Sequence, residues 1–177
     1  MIAELVFLTW GLAAAAQAEL VIRAYGDRLD GVCTARPGVR LSVGQDPSMP
    51  NERLLIVDYP GPTGDPAGRD VNCAAEHQDW TAGRAIAFQI KPAHPMRLSV
   101  SFLDRNHVAY TAWAELKGDG WQQVRIPFDT IRPNPYFQPP DAKTSAPLDV
   151  SDVKAIAFAP QDQTSGQFSL GTFVVSK

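Results

Sequence analysis

From residue 50 onward the chain alternates apolar and polar positions in short runs, each closed by turn residues. Leu54-Leu55-Ile56-Val57 leads into Tyr59-Pro60-Gly61-Pro62, a strand followed by a firm stop. Ile86, Phe88 and Ile90 alternate, as do Leu98, Val100 and Phe102, and again Val124, Ile126 and Phe128. Ile156 with Phe158 and Phe168 with Leu170 repeat the pattern. A period of two sets each group on one face of a strand. Lys91-Pro92-Ala93-His94-Pro95, Gly118-Asp119-Gly120 and Thr164-Ser165-Gly166 separate the runs and read as turns. No stretch after Ala18 holds a helical period. The pattern predicts an all-β fold, an antiparallel β-sandwich or jelly roll with these side chains meeting between two sheets. Two segments fall outside it. Glu76-His77-Gln78-Asp79 reads as a solvated loop leading into Trp80. From Arg132 to Leu148, Pro133, Pro135, Pro139, Pro140 and Pro147 predict a stiff, shaped surface loop.

The first eighteen residues, MIAELVFLTWGLAAAAQA, do not join the alternation. The run Leu5 to Ala16 is too short for a hydrocarbon core, which takes about 20 residues. It ends in Ala16-Gln17-Ala18, the small-x-small pattern of signal-peptide cleavage. Against that reading, Glu4 stands where a signal peptide carries Lys or Arg, which leaves a retained anchor open. The expected organisation is therefore a signal peptide or anchor over residues 1–18 and one β-sandwich binding domain over 19–177. Export would place it in the periplasm or the medium, and membrane contact is expected only if residues 1–18 are retained.

Composition adds three bounds. Hydrophobic residues are 45% and charged residues 20% of the 177, which supplies one core and excludes wholesale disorder. A net charge of -3 argues against nucleic acid as a partner. Cys33 and Cys73 are an even pair without C-x-x-C spacing. In an oxidising compartment they would bond to each other; the alternative is two buried free thiols.

A search for chemistry is negative. The chain has no G-x-S-x-G elbow, no H-E-x-x-H and no P-loop. Cys73 and His77 have ligand-like spacing, but nothing supplies the remaining ligands. Asp104-Arg105-Asn106 reads as a hairpin turn rather than a calcium loop. No catalytic residue and no metal ligand is expected, although a pair of glycosidase carboxylates meets only in space and leaves no sequence trace.

Trp121-Gln122-Gln123-Val124-Arg125-Ile126-Pro127-Phe128 resembles the W-x-x-V-x-I-P-F strand of galactose-binding-like jelly rolls. Leu148 to Phe158 and Gly166 to Leu170 follow in an order similar to the complex I intermediate-associated protein 30 family and related non-catalytic carbohydrate-binding modules. The resemblance covers roughly residues 50 to 177 and implies a jelly roll. Many of these relatives carry an acidic residue after the last F-x-I/L pair, where it helps hold a structural calcium. Here Gly171 stands at that place, so no cofactor is expected.

The aromatic residues give the candidate surface. Tyr110 and Trp113 are an odd number apart and face opposite sides of one strand. Tyr110 with Ala112, Ala114 and Leu116 is expected inward, leaving Thr111, Trp113 and Glu115 outside. An outward Trp113 suits stacking on a sugar ring, with Arg97 fixing orientation; the alternative is a Trp113 covered by the proline-rich loop. His107, Tyr136 and Phe137 are further candidates. The sequence thus points to an exported, non-catalytic binding module with a glycan as one candidate ligand. The alternative, implied by the assembly-factor side of the resemblance, is a structural, accessory or assembly subunit docked on a membrane protein complex.

Overall fold

The computed structural model describes residues 20–23, 32–61, 66–118, 120–162 and 164–177; the expected signal or anchor segment lies outside them. In chain order the strands are β1 (Leu20–Arg23), β2 (Cys33–Ala35), β3 (Arg40–Asp46), β4 (Met49–Tyr59), β5 (Val71–Gln78) and β6 (Ala85–Pro92). They continue with β7 (Met96–Asp104), β8 (Ala109–Leu116), β9 (Gln122–Pro127), β10 (Arg132–Pro133), β11 (Val153–Pro160), β12 (Gly166–Leu170) and β13 (Phe173–Ser176). A seven-stranded sheet runs β1-β13-β6-β12-β4-β3, with β9 paired to β6. A six-stranded sheet runs β10-β8-β7-β11-β5-β2. Neighbours pair antiparallel throughout, so the expected all-β sandwich is the fold observed.

The two inner faces interlock through aromatic rings. Phe88 on β6 lies 5.8 Å from Phe158 on β11 and 5.0 Å from Phe173 on β13. Trp80, wholly buried, stacks on Phe128 at 6.0 Å and meets the Phe102 edge-on at 6.2 Å. Every residue of the alternating sets from Ile86 to Leu170 is buried except Phe128. Phe128 departs because the chain leaves β9 at Pro127 and turns into a short 3-10 segment, Phe128–Thr130, which leaves its ring half-buried over Trp80. Pro127 itself ends an edge strand, where a missing N–H costs no ladder bond.

Several elements differ from the sequence expectation. Residues 76–78, expected as loop, continue β5. Arg132 and Pro133, expected inside the proline-rich loop, form β10 against Thr111 and Tyr110. Asp104-Arg105-Asn106 is the turn expected: Asp104 Oδ1 accepts from the N–H of Asn106 at 2.9 Å and of Val108 at 3.0 Å. Cys33 faces Cys73 across β2 and β5, and the two are bonded. That settles the alternative of free thiols. A formed disulfide belongs to an oxidising, non-cytoplasmic compartment.

A polar cluster ties the sheets where β6 passes to β7 and β11 to β12. Asp162 Oδ2 receives the Tyr59 hydroxyl at 3.1 Å and the Thr164 hydroxyl at 2.9 Å, and lies 2.6 Å from His94 Nε2. The buried Arg69 donates to the Asp162 main-chain oxygen at 2.7 Å. Gly166 is required beside it, because a Cβ there would sit 2.6 Å from the Tyr59 hydroxyl oxygen. Burial pushes the Asp162 carboxyl up, but the hydrogen bonds of His94, Thr164 and Tyr59, with the Arg69 charge, outweigh it and hold it below the ordinary carboxylate range. A depressed folded value contributes stability above the unfolded value near ~4 and loses it as pH falls through the folded one. Asp162→Asn should therefore lower the melting temperature at neutral pH and flatten its decline below about pH 4. An unchanged acid slope in thermal melts would refute this role.

Candidate functional site

Eight register pairs join β7 to β8, and their alternation decides which side chains leave the core. Leu98, Val100 and Phe102 with Tyr110, Ala112, Ala114 and Leu116 turn inward and are buried, as the spacing predicts. Tyr110 anchors the strand at depth, its hydroxyl donating to the main-chain oxygens of Ala146 and Pro147 at 3.0 Å each. The opposite face carries the pairs Arg97–Glu115, Ser99–Trp113 and Ser101–Thr111. Thr111 points outward as expected but is buried, because β10 lies alongside and Ser99 holds its hydroxyl at 3.1 Å.

Trp113 is 37% exposed, so the proline-rich loop does not cover it. Arg97 reaches it: its guanidinium carbon stands 4.2 Å from the ring centroid, and Nε pairs with Glu115 at 3.1 Å. Trp113 also lines an open groove of about 540 Å³ between β8 and β10 of one sheet and β9 of the other. Thr111, Arg125, Pro127, Arg132 and Pro135 share the lining. The groove exists because β10 pairs only with Tyr110 and Thr111, leaving β8 uncovered beyond them.

Pro135 is followed by Tyr136 and Phe137, which are 85% and 64% exposed. Their loop is not loose. Asn134 Oδ1 accepts from the N–H of Tyr136 at 2.9 Å, and Gln138 exchanges hydrogen bonds with the Ala109 backbone at 2.6 and 3.1 Å. Among the described residues, Trp113, Tyr136 and Phe137 are the large hydrophobic side chains exposed to solvent; Trp113 lines the groove, and Tyr136 and Phe137 follow its lining residue Pro135 in sequence. His107 stands apart in the β7–β8 turn, with φ of 57° and Nε2 3.1 Å from Lys154 Nζ. Of the five candidates named from the sequence, the structure brings Trp113 and Arg97 into contact, sets Tyr136 and Phe137 after the groove residue Pro135, and leaves His107 in the β7–β8 turn. Sequence reasoning missed Arg125, Arg132 and Thr130. Thr130 and Arg132 follow the expected strand, where no periodicity assigns a direction.

Among the described residues no group of three or more His, Cys, Asp or Glu side chains could hold a metal ion. The sequence pattern of the carbohydrate binding domain (family 11) matches residues 63–173. The chain belongs to that family. Its strands align with a family 11 carbohydrate-binding module from Clostridium thermocellum, solved with a β-1,3-1,4-mixed-linked tetrasaccharide, at a TM-score of 0.67. That alignment covers 89% of this chain and 95% of the other at 21% identity. A family 30 carbohydrate-binding module of a cellulosomal cellulase from the same organism aligns at a TM-score of 0.64, with 13% identity over 90% of this chain and 98% of the other. At such identities the likeness shows the shared jelly-roll architecture. Endoglucanase H of Acetivibrio thermocellus is 26% identical over 100 residues, a match taking in 51% of this chain and 11% of the enzyme. This family 11 domain thus spans a small part of the length of that curated relative.

Proposed function

We propose that this domain binds a polysaccharide at the β8–β10 edge of the six-stranded sheet and performs no catalysis itself. Trp113 is the stacking platform. Tyr136 and Phe137 extend it, and Arg97 orients the chain of sugars. The observation that carries this reading is an exposed Trp113 lining an open groove in a member of a carbohydrate-binding family, with the exposed Tyr136 and Phe137 directly after the groove residue Pro135. Aromatic plates suit pyranose rings because each presents a broad apolar face with polar groups at the edge. The proposed setting is the periplasm or the extracellular medium, consistent with the disulfide.

Binding proceeds in this reading without a structural calcium. A hard cation takes several oxygen ligands, and Gly171 brings no side-chain oxygen to its place. Melting temperatures measured with calcium and with a chelator should agree; a rise of many degrees with calcium would contradict this.

Removing the loop aromatics tests the site directly. Tyr136→Ala/Phe137→Ala should weaken polysaccharide binding about fivefold, judged by affinity electrophoresis or calorimetry. The melting temperature should hold, because exposed side chains contribute little to stability. A blank glycan array, with co-purification of a membrane complex from detergent extracts, would favour the accessory-subunit reading and overturn this one.

A further inference from the structure

The groove beside Trp113 has an uneven charge. Arg125 from β9 and Arg132 from β10 line it, and among the described residues no carboxylate side chain does. Both guanidiniums spend hydrogen bonds on main-chain oxygens: Arg132 on those of Asp129 and Ile131, Arg125 on that of Lys177 at 3.1 Å. Among the described residues Arg132 meets no carboxylate and Arg125 no side-chain carboxylate. Arg97, on β7 against the Trp113 ring, pairs instead with the side chain of Glu115. The two positive charges are not a by-product of a basic protein, because the whole chain carries -3. Arginine at such a place is matched to planar or tetrahedral oxyanions, which it can bind through two parallel N–H donors. Neutral sugars offer hydroxyls that both donate and accept, so a site built for them gains from acceptor side chains as well. Among the described residues, the hydroxyl side chains lining the groove are Thr111 and Thr130.

We infer that the groove takes an acidic polysaccharide, one whose sugars carry a carboxylate or a sulfate ester. The inference rests on the glycan-binding reading above and specifies the charge of the ligand. One sugar stacks on Trp113 while its anionic group, or that of a neighbour, lies between Arg125 and Arg132. The rim prolines Pro127, Pro133 and Pro135 give the groove a stiff wall, so the guanidiniums are presented at fixed spacing.

Three polymers separate the outcomes: polygalacturonate for the carboxylate, a sulfated galactan for the ester, and neutral mixed-linkage β-glucan. One acidic polymer should bind at least about tenfold more tightly than the glucan, and its affinity should fall as salt is raised. Arg125→Gln/Arg132→Gln should cost that polymer about tenfold while leaving the melting temperature unchanged. Which acidic polymer responds assigns the carboxylate or the sulfate. If the glucan binds best and without salt dependence, or if the double variant binds the acidic polymer as before, the charge assignment fails and the glycan-binding reading stands. If none of the three binds, both fail.

Discussion

Trp113→Ala should abolish most polysaccharide binding and leave the fold standing. The side chain is outward on β8, its neighbours Ala112 and Ala114 pointing into the core on either side. Truncation therefore opens no cavity between the sheets. What is lost from the free protein is the Arg97 contact at 4.2 Å, worth about 0.5–1 kcal/mol at an exposed site. An aromatic anchor at the centre of a binding surface contributes about 2 kcal/mol or more, roughly a thirtyfold change in affinity. The two readouts must be taken on one variant. A core tryptophan behaves oppositely, with about 3–5 kcal/mol lost from stability. Denaturant midpoints near the parent value with affinity reduced thirtyfold support the platform; a collapse of stability would retire Trp113 and leave the Tyr136-Phe137 loop as the binding surface.

The second large effect concerns the Cys33–Cys73 bond. It joins positions 40 apart in sequence and pins the short β2 to β5, which otherwise holds it through only three register pairs. Closing a loop of that size restrains the unfolded chain by about 4 kcal/mol in the entropy treatment. Cys33→Ala/Cys73→Ala keeps both buried positions apolar, so the expected loss of about 4 kcal/mol reports the bond rather than a buried hydroxyl. Equilibrium denaturation of the variant and of the reduced parent should agree. A loss below about 1 kcal/mol in both would show that β2 is held by its ladder alone.

The strands that were legible in sequence are those whose two faces carry different kinds of side chain. Ile86-Phe88-Ile90 and Leu98-Val100-Phe102 alternate cleanly because their large side chains fill the core while small or polar residues, Ala87, Gln89, Ser99 and Ser101, take the other face. β3 was not legible, since its apolar Leu41 and Val43 are only partly buried at the sheet edge. β5 was hidden for another reason: Val71, Cys73 and Ala75 are buried, but small or sulfur-bearing side chains signal a strand weakly. Phe128 alternated correctly and still left the sheet, because Pro127 before it stopped the ladder. The outward direction of Trp113 followed from parity with Tyr110. Its pairing with Arg97 needed the β7–β8 register, which depends on where the turn at Asp104 falls. The arginines of the groove come from strands of different sheets, and no local pattern brings such residues together.

The groove lies where, among the described residues, two strand edges, of β8 beyond Thr111 and of β9, stand without a neighbour. Open edges of this kind invite another chain to add a strand, the first step toward aggregation. Pro127 closes β9 and Pro133 ends β10, each lacking the N–H that a ladder extended from its strand would use. Arg125 and Arg132 would in addition bring two charges against any incoming backbone. The opening proposed to accept a ligand side-on is therefore guarded against a peptide strand, by proline at the strand ends and by charge along the groove.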